Sequence, residues 1–183
     1  LVFNMAAMMQ DAFNDVVGTM FIAALLVIVI AWVFLGRLRT TLMPVITVPV
    51  CLLGTVAVIT ALGMTLNIFT LLAFVIAIGL VVDDAIVVVE NITCYMEQGM
   101  RRLDATILGT RKIAQTVIGI TATLLVVYLP LTFCEGSFIT FLSAFAIPLA
   151  VAVFFSGVLA LTLTPIMCQY LLPTSPLTRY QLA

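Results

Sequence analysis

Two adjacent carboxylates, Asp83 and Asp84, interrupt an apolar run that extends from Ile68 to Val89 and has no other charge. A run of ~20 such residues is what a helix needs to cross ~30 Å of hydrocarbon. A charged side chain near the bilayer centre costs about 3 kcal/mol on insertion scales, and two neighbours cost more. At ~1.5 Å per residue from Ile68, Asp83 lies ~22 Å along such a helix, inside the hydrocarbon and toward the cytoplasmic half. Burial and mutual repulsion both favour proton uptake unless a cation stands beside the pair, and carboxylates that gain and lose protons in this way form an ion or proton relay. A hydrogen-bonded pair that only fastens helices is the plainer alternative. Successive helix positions diverge by ~100°, so the two side chains flank one interhelical seam rather than sharing a line. Asp83 shares its face with Ile76 and Glu90, and Asp84 shares its face with Ala73, Ala77 and Asn91, small residues among them that let another helix approach.

The rest of the chain has to hold that helix in lipid. Hydrophobic residues make up 64% of the sequence and charged residues 8%, with a mean hydropathy of +1.35, which excludes a water-soluble domain. Five apolar spans are expected: 17–35, 42–62, 68–89, 116–133 and 141–172. The fold class is an all-α membrane protein, a bundle of about five transmembrane helices. Pro44 and Pro49 fall in the second span, where neighbours must satisfy the carbonyls they free. The fifth is overlong, so it is expected to tilt, kink at Pro148 or reach into the interface, with Pro165 marking its lower end.

All 7 basic residues fall on one side of these spans: Arg37 and Arg39 after the first, Arg101, Arg102, Arg111 and Lys112 between the third and fourth, and Arg179 after the fifth. The other side carries Asp11, Asp15, the turn from Gly63 to Asn67, and Glu135. Basic loops stay in the cytoplasm, which sets the amino terminus outside and the carboxyl terminus inside. No Lys or Arg lies within a span, so the cation for the aspartates has to come from elsewhere. Between spans three and four, Ile92, Tyr95, Met96, Met100, Leu103 and Ile107 recur at helical spacing among polar neighbours. They describe an amphipathic connector at the cytoplasmic face, divided at Gly99, whose plainest role is to anchor the helices.

Nothing else in the chain suggests chemistry. Cys51, Cys94, Cys134 and Cys168 are widely spaced and there is no histidine, so they read as inert thiols rather than metal ligands. Met5, Met8 and Met9 read as interfacial packing. No cofactor, no metal and no nucleic acid are expected, and the chain is not an enzyme. It starts at Leu1 without a signal-peptide pattern and reads as an excerpt.

The stretch Ala77-Ile78-Gly79-Leu80-Val81-Val82-Asp83-Asp84-Ala85-Ile86-Val87-Val88-Val89-Glu90-Asn91 closely resembles the fourth transmembrane helix of the resistance-nodulation-division (RND) efflux pumps. Arg39-Thr40-Thr41-Leu42-Met43-Pro44, Val48-Pro49-Val50 and Leu53-Gly54-Thr55 are similar to the junction of the second and third helices, and Leu163-Thr164-Pro165 with Cys168 to the end of the sixth. The resemblance covers about 17–172, helices two to six of the first repeat. The paired aspartates resemble the hydrophobe and amphiphile exporters rather than the heavy-metal branch.

The resemblance implies drug/proton antiport in the bacterial inner membrane. It implies a homotrimer working with a periplasmic adaptor and an outer-membrane channel. Asp83 and Asp84 would be the proton-translocation residues, facing a lysine from the second repeat, while Asn67, Glu90 and Asn91 match helix-end positions with a packing or anchoring role. The porter domains and second repeat of such pumps are not in the chain, so alone it is expected to lack transport competence. Near the fifth span, Phe141-Leu142-Ser143-Ala144-Phe145 and the tail Pro173-Thr174-Ser175-Pro176 depart from the family pattern. A second reading stays open, a stand-alone truncated or inhibitory membrane subunit without transport activity.

Overall fold

The computed structural model describes residues 5–35, 38–132 and 139–172 of the chain. Five helices follow one another: α1 (Met5–Leu35), α2 (Leu38–Ala61), α3 (Ile68–Glu97), α4 (Arg102–Tyr128) and α5 (Ile139–Leu171), with a 3-10 turn at Leu129–Thr132 between the last two. The expected all-α bundle is what forms. Four helical stretches, Thr40–Ala61, Ile68–Glu97, Arg102–Thr132 and Phe141–Leu171, are long and apolar enough to cross a membrane, and α1 carries a shorter apolar stretch at Phe21–Val33. Phe21, Leu25, Val33, Leu53 and Val126 are all strongly exposed, as side chains facing lipid or further protein would be and those of a soluble domain would not.

Helix boundaries follow local chemistry. Asn67 caps α3, its Oδ1 accepting from the Thr70 amide at 2.9 Å. Gly63 and Gly99 close α2 and α3 with φ of +73° and +86°, conformations that a side chain resists. At both, two amides fold back on the last turn: Gly63 and Met64 onto the Thr60 and Ile59 carbonyls, Gly99 and Met100 onto those of Met96 and Tyr95. The amphipathic segment is thus the last turns of α3 and the first of α4, divided at Gly99. There Lys112 Nζ stands 5.5 Å from the centre of the Tyr95 ring, and Arg101 pairs with Asp104 at 2.9 Å. The third and fourth apolar spans belong to longer helices: α3 starts at Ile68 and runs beyond Val89 to Glu97, and α4 begins at Arg102 rather than near Thr116. α4 gives way to a 3-10 turn next to Pro130, whose ring cannot continue the α-helix. Phe133, Cys134, Glu135, the 173–176 tail and Arg179 lie outside the described residues, as do Gly36 and Arg37.

Among the described residues α3 alone touches all four other helices, and its longest contact is with α5. Both prolines of α5 lie inside the helix. Pro148 has no amide to offer the Ala144 carbonyl, and Thr70 Oγ1 of α3 donates to that carbonyl instead at 3.3 Å. Ala73 and Ala77 of α3 pack against Leu149, Ala152 and Val153 of α5, so the small-residue face next to Asp84 meets a neighbouring helix as the sequence indicated. Further along, Val88, Val89 and Ile92 form a second core with Met43 of α2, Ala105 and Val117 of α4, and Ala160 and Cys168 of α5.

Candidate functional site

Asp83 and Asp84 lie about midway along α3, the central helix, on opposite sides of one boundary. Asp84 is half-buried toward α5, where Ser156 Oγ donates to Asp84 Oδ2 at 2.7 Å. Asp83 is exposed on a stripe that no other described helix covers, together with Leu72, Ile76, Val87 and Glu90. Gly79 leaves a gap on the same side: a Cβ added there would meet nothing within 4 Å. The pair therefore straddles the edge of the bundle, one carboxylate tied inward and one facing out.

The inward side is built of small and hydroxylic residues. Cys51 of α2 is buried, and its Sγ approaches the Ala152 carbonyl of α5 at 3.4 Å. Ser156 is 1% exposed. It belongs to a row at four-residue steps, Ala144, Pro148, Ala152, Ser156, Ala160, Thr164 and Cys168, all buried, that forms the inward edge of α5. Sequence reasoning missed Ser156. The row of small residues was the signal that could have found it, since it marks the line along which α5 approaches its neighbours.

The supporting positions fall apart from the pair. Asn67 is the cap of α3, and its Oδ1, 3.1 Å from Thr70 Oγ1, shares that single hydroxyl hydrogen with the Ala144 carbonyl. Asn91 Nδ2 donates to the Gly109 carbonyl of α4 at 2.6 Å, clamping the C-terminal part of α3 to the N-terminal part of α4. Gly109 permits the clamp, because a Cβ there would lie 3.1 Å from the Ile92 Cα. Glu90 is exposed on the Asp83 stripe, two turns further on. Among the described residues no cluster of three metal-binding side chains occurs. The basic side chains Arg101, Arg102, Arg111 and Lys112 sit at the α3–α4 corner, remote in sequence from the aspartates.

Comparison with known proteins bears on what this arrangement is. A profile described as the AcrB/AcrD/AcrF family matches residues 1–181. An uncharacterized transporter of Haemophilus influenzae is 39% identical over 175 residues, 96% of this chain and 17% of its own length. The multidrug resistance protein MdtC of Salmonella schwarzengrund is 44% identical over 166 residues, 91% of this chain and 16% of its own. MdtC of Pantoea ananatis is 42% identical over 173 residues, 94% of this chain and 17% of its own. The chain thus spans about one sixth of the length of these relatives, consistent with one group of helices from a larger transporter. The match along nearly the whole chain, together with the aspartate pair on a central helix, shows that it belongs to the AcrB/AcrD/AcrF family of RND multidrug efflux pumps.

Proposed function

We propose that this chain is the proton-coupling part of an RND drug/proton antiporter that exports hydrophobic or amphiphilic compounds, with Asp83 and Asp84 as the residues that take up and release the proton. The observation that carries the reading is the straddled pair: adjacent carboxylates midway along the helix that contacts every other, one bonded inward and one on an uncovered stripe. A carboxylate facing hydrocarbon is costly, so the stripe of Asp83 calls for a covering element that brings a cation or water. A lysine from the second repeat of a longer pump fits that need. Protonation would weaken its hold on Asp83, and deprotonation would restore it, so each cycle of the carboxylates changes how tightly two helix groups are joined. Movement of that kind is what a remote drug path can be coupled to.

In the same proposal the chain lies in the bacterial inner membrane with its amino terminus periplasmic and its carboxyl terminus cytoplasmic. It acts within a homotrimer that engages an adaptor and an outer-membrane channel, and it does not transport alone. Drug resistance conferred by the complete pump tests the reading. Asp83→Asn or Asp84→Asn keeps size and hydrogen bonding but removes the titratable group, and each should abolish resistance while the amount of protein in the membrane stays normal. Resistance at the parental level in either variant refutes the assignment.

A further inference from the structure

Several hydroxyls of this bundle follow one pattern, from which Ser156, like Thr70, departs by bonding outside its own preceding turn. Thr47, Thr55, Thr60, Thr93, Thr123 and Thr162 each donate to the carbonyl four residues earlier in their own helix, at 2.6 to 2.8 Å. That is the default for a hydroxyl inside an apolar helix, where the preceding turn offers the nearest acceptor. Ser156 does not do this. Its own acceptor would be the Ala152 carbonyl, which already receives the helical amide of Ser156 and is approached by Cys51 Sγ at 3.4 Å from α2. A carbonyl oxygen has two lone pairs, and both are engaged. The Ser156 hydroxyl turns across the helix interface and donates to Asp84 at 2.7 Å.

From this geometry we infer that Ser156 is a positioning residue that holds Asp84 against α5 and makes the two aspartates inequivalent, Asp84 fixed inward and Asp83 left to meet the covering cation. The inference rests on the proton-coupling reading above and assigns different duties within the pair. The titratable groups facing Asp84 are Asp83 beside it and the Cys51 thiol on α2. α5 carries no charged side chain between Ile139 and Leu171. The charges of α4 sit at its start, from Arg102 to Lys112, and the acidic residues of α1, Asp11 and Asp15, precede its apolar stretch. The serine hydroxyl is therefore the polar group α5 presents to the carboxylate. It can donate to an ionised carboxylate and accept from a protonated one, so the tether persists through the cycle while Asp83 changes partners.

The test uses the complete pump in proteoliposomes, with three variants. Ser156→Ala removes one oxygen without adding volume and keeps a good helix former. It should reduce transport about tenfold, the loss expected for one hydrogen bond to a charged group, at an unchanged amount of assembled protein. Ser156→Thr restores a hydroxyl and should recover most of the rate. Infrared difference spectra supply a readout that mere packing would not move: the Asp84 carboxyl band, identified as the one lost in Asp84→Asn, should shift in Ser156→Ala and return in Ser156→Thr. A stationary band overturns the inference whatever the transport rate, and so does a shifted band with transport unimpaired. Loss of transport that Thr does not restore, with the band unmoved, assigns Ser156 to packing and likewise overturns it. Parental transport in Asp84→Asn is a separate failure, that of the proton-coupling reading itself.

Discussion

α3 and α4 are apolar helices of similar length, 30 and 27 residues, joined by one tight turn at Gly99, yet the bundle treats them in opposite ways. Over the most apolar part of each, 56% of α3 is buried against 6% of α4. The difference lies in what their neighbours offer. α3 meets α5 through Ala73 and Ala77 facing Ala152, meets α2 near Cys51, and carries Asp83 and Asp84 at the boundary of that packing. α4 is buried at few positions, Ala105, Thr106, Gly109 and Val117, and then presents Ile118, Val126 and Val127 outward. Apolarity alone therefore does not place a helix in the interior of a membrane bundle, because lipid accepts the same side chains. Small residues and cross-helix hydrogen bonds do.

Substitutions that overfill the α3–α5 contact should break this comparison most forcefully. Ala77 is 1% exposed. Ala77→Leu should destabilise the bundle by about 3 kcal/mol, the upper range for overpacking, read as a lower midpoint in denaturant titration of the purified protein. Gly109→Val comes next, since its side chain would enter the space of the Ile92 backbone and push the Asn91 clamp apart. A loss of about 2 kcal/mol is expected by the same mechanism. Thr70→Val removes the hydroxyl that satisfies the Ala144 carbonyl freed by Pro148, and should cost about 1 kcal/mol. At the other extreme, Val126 of α4 is 69% exposed, and Val126→Ala should change stability by less than about 0.5 kcal/mol. Equal effects at Ala77 and Val126 would erase the distinction between the two helices.

Orientation sharpens the comparison without any energetic readout. With all 7 basic residues assigned to one side, a reporter fused at Gly99, between α3 and α4, should report the cytoplasm and one at Gly136 the periplasm. The reverse at both sites would invert the topology.

Much of this architecture was legible in the residues. The long apolar runs, the Gly99 division and the small-residue face beside Asp84 follow from helix geometry and side-chain size, which are local properties. The true extents of α3 and α4 were not, because their amphipathic ends read as a surface connector when burial against neighbours is unknown; Met96 and Ala105 are in fact part of the core. The site was half legible. Two intramembrane carboxylates announce themselves by cost, whereas Ser156 looks like any small polar residue, and its importance depends on which carbonyl Cys51 occupies across 101 positions of sequence. Nor could spacing divide Asp83 from Asp84, since a rotation of one residue along α3 is only meaningful once the covering helices are in place.

Proton movement tests the central claim most directly. In proteoliposomes holding the complete pump and a pH-sensitive dye, adding an amphiphilic substrate should release a measurable proton flux across the membrane. Asp83→Asn and Asp84→Asn should each bring that flux to the level of protein-free vesicles while reconstitution stays equal. A substrate-dependent flux at the parental rate in either variant would contradict the assignment of this aspartate pair as the proton-coupling site.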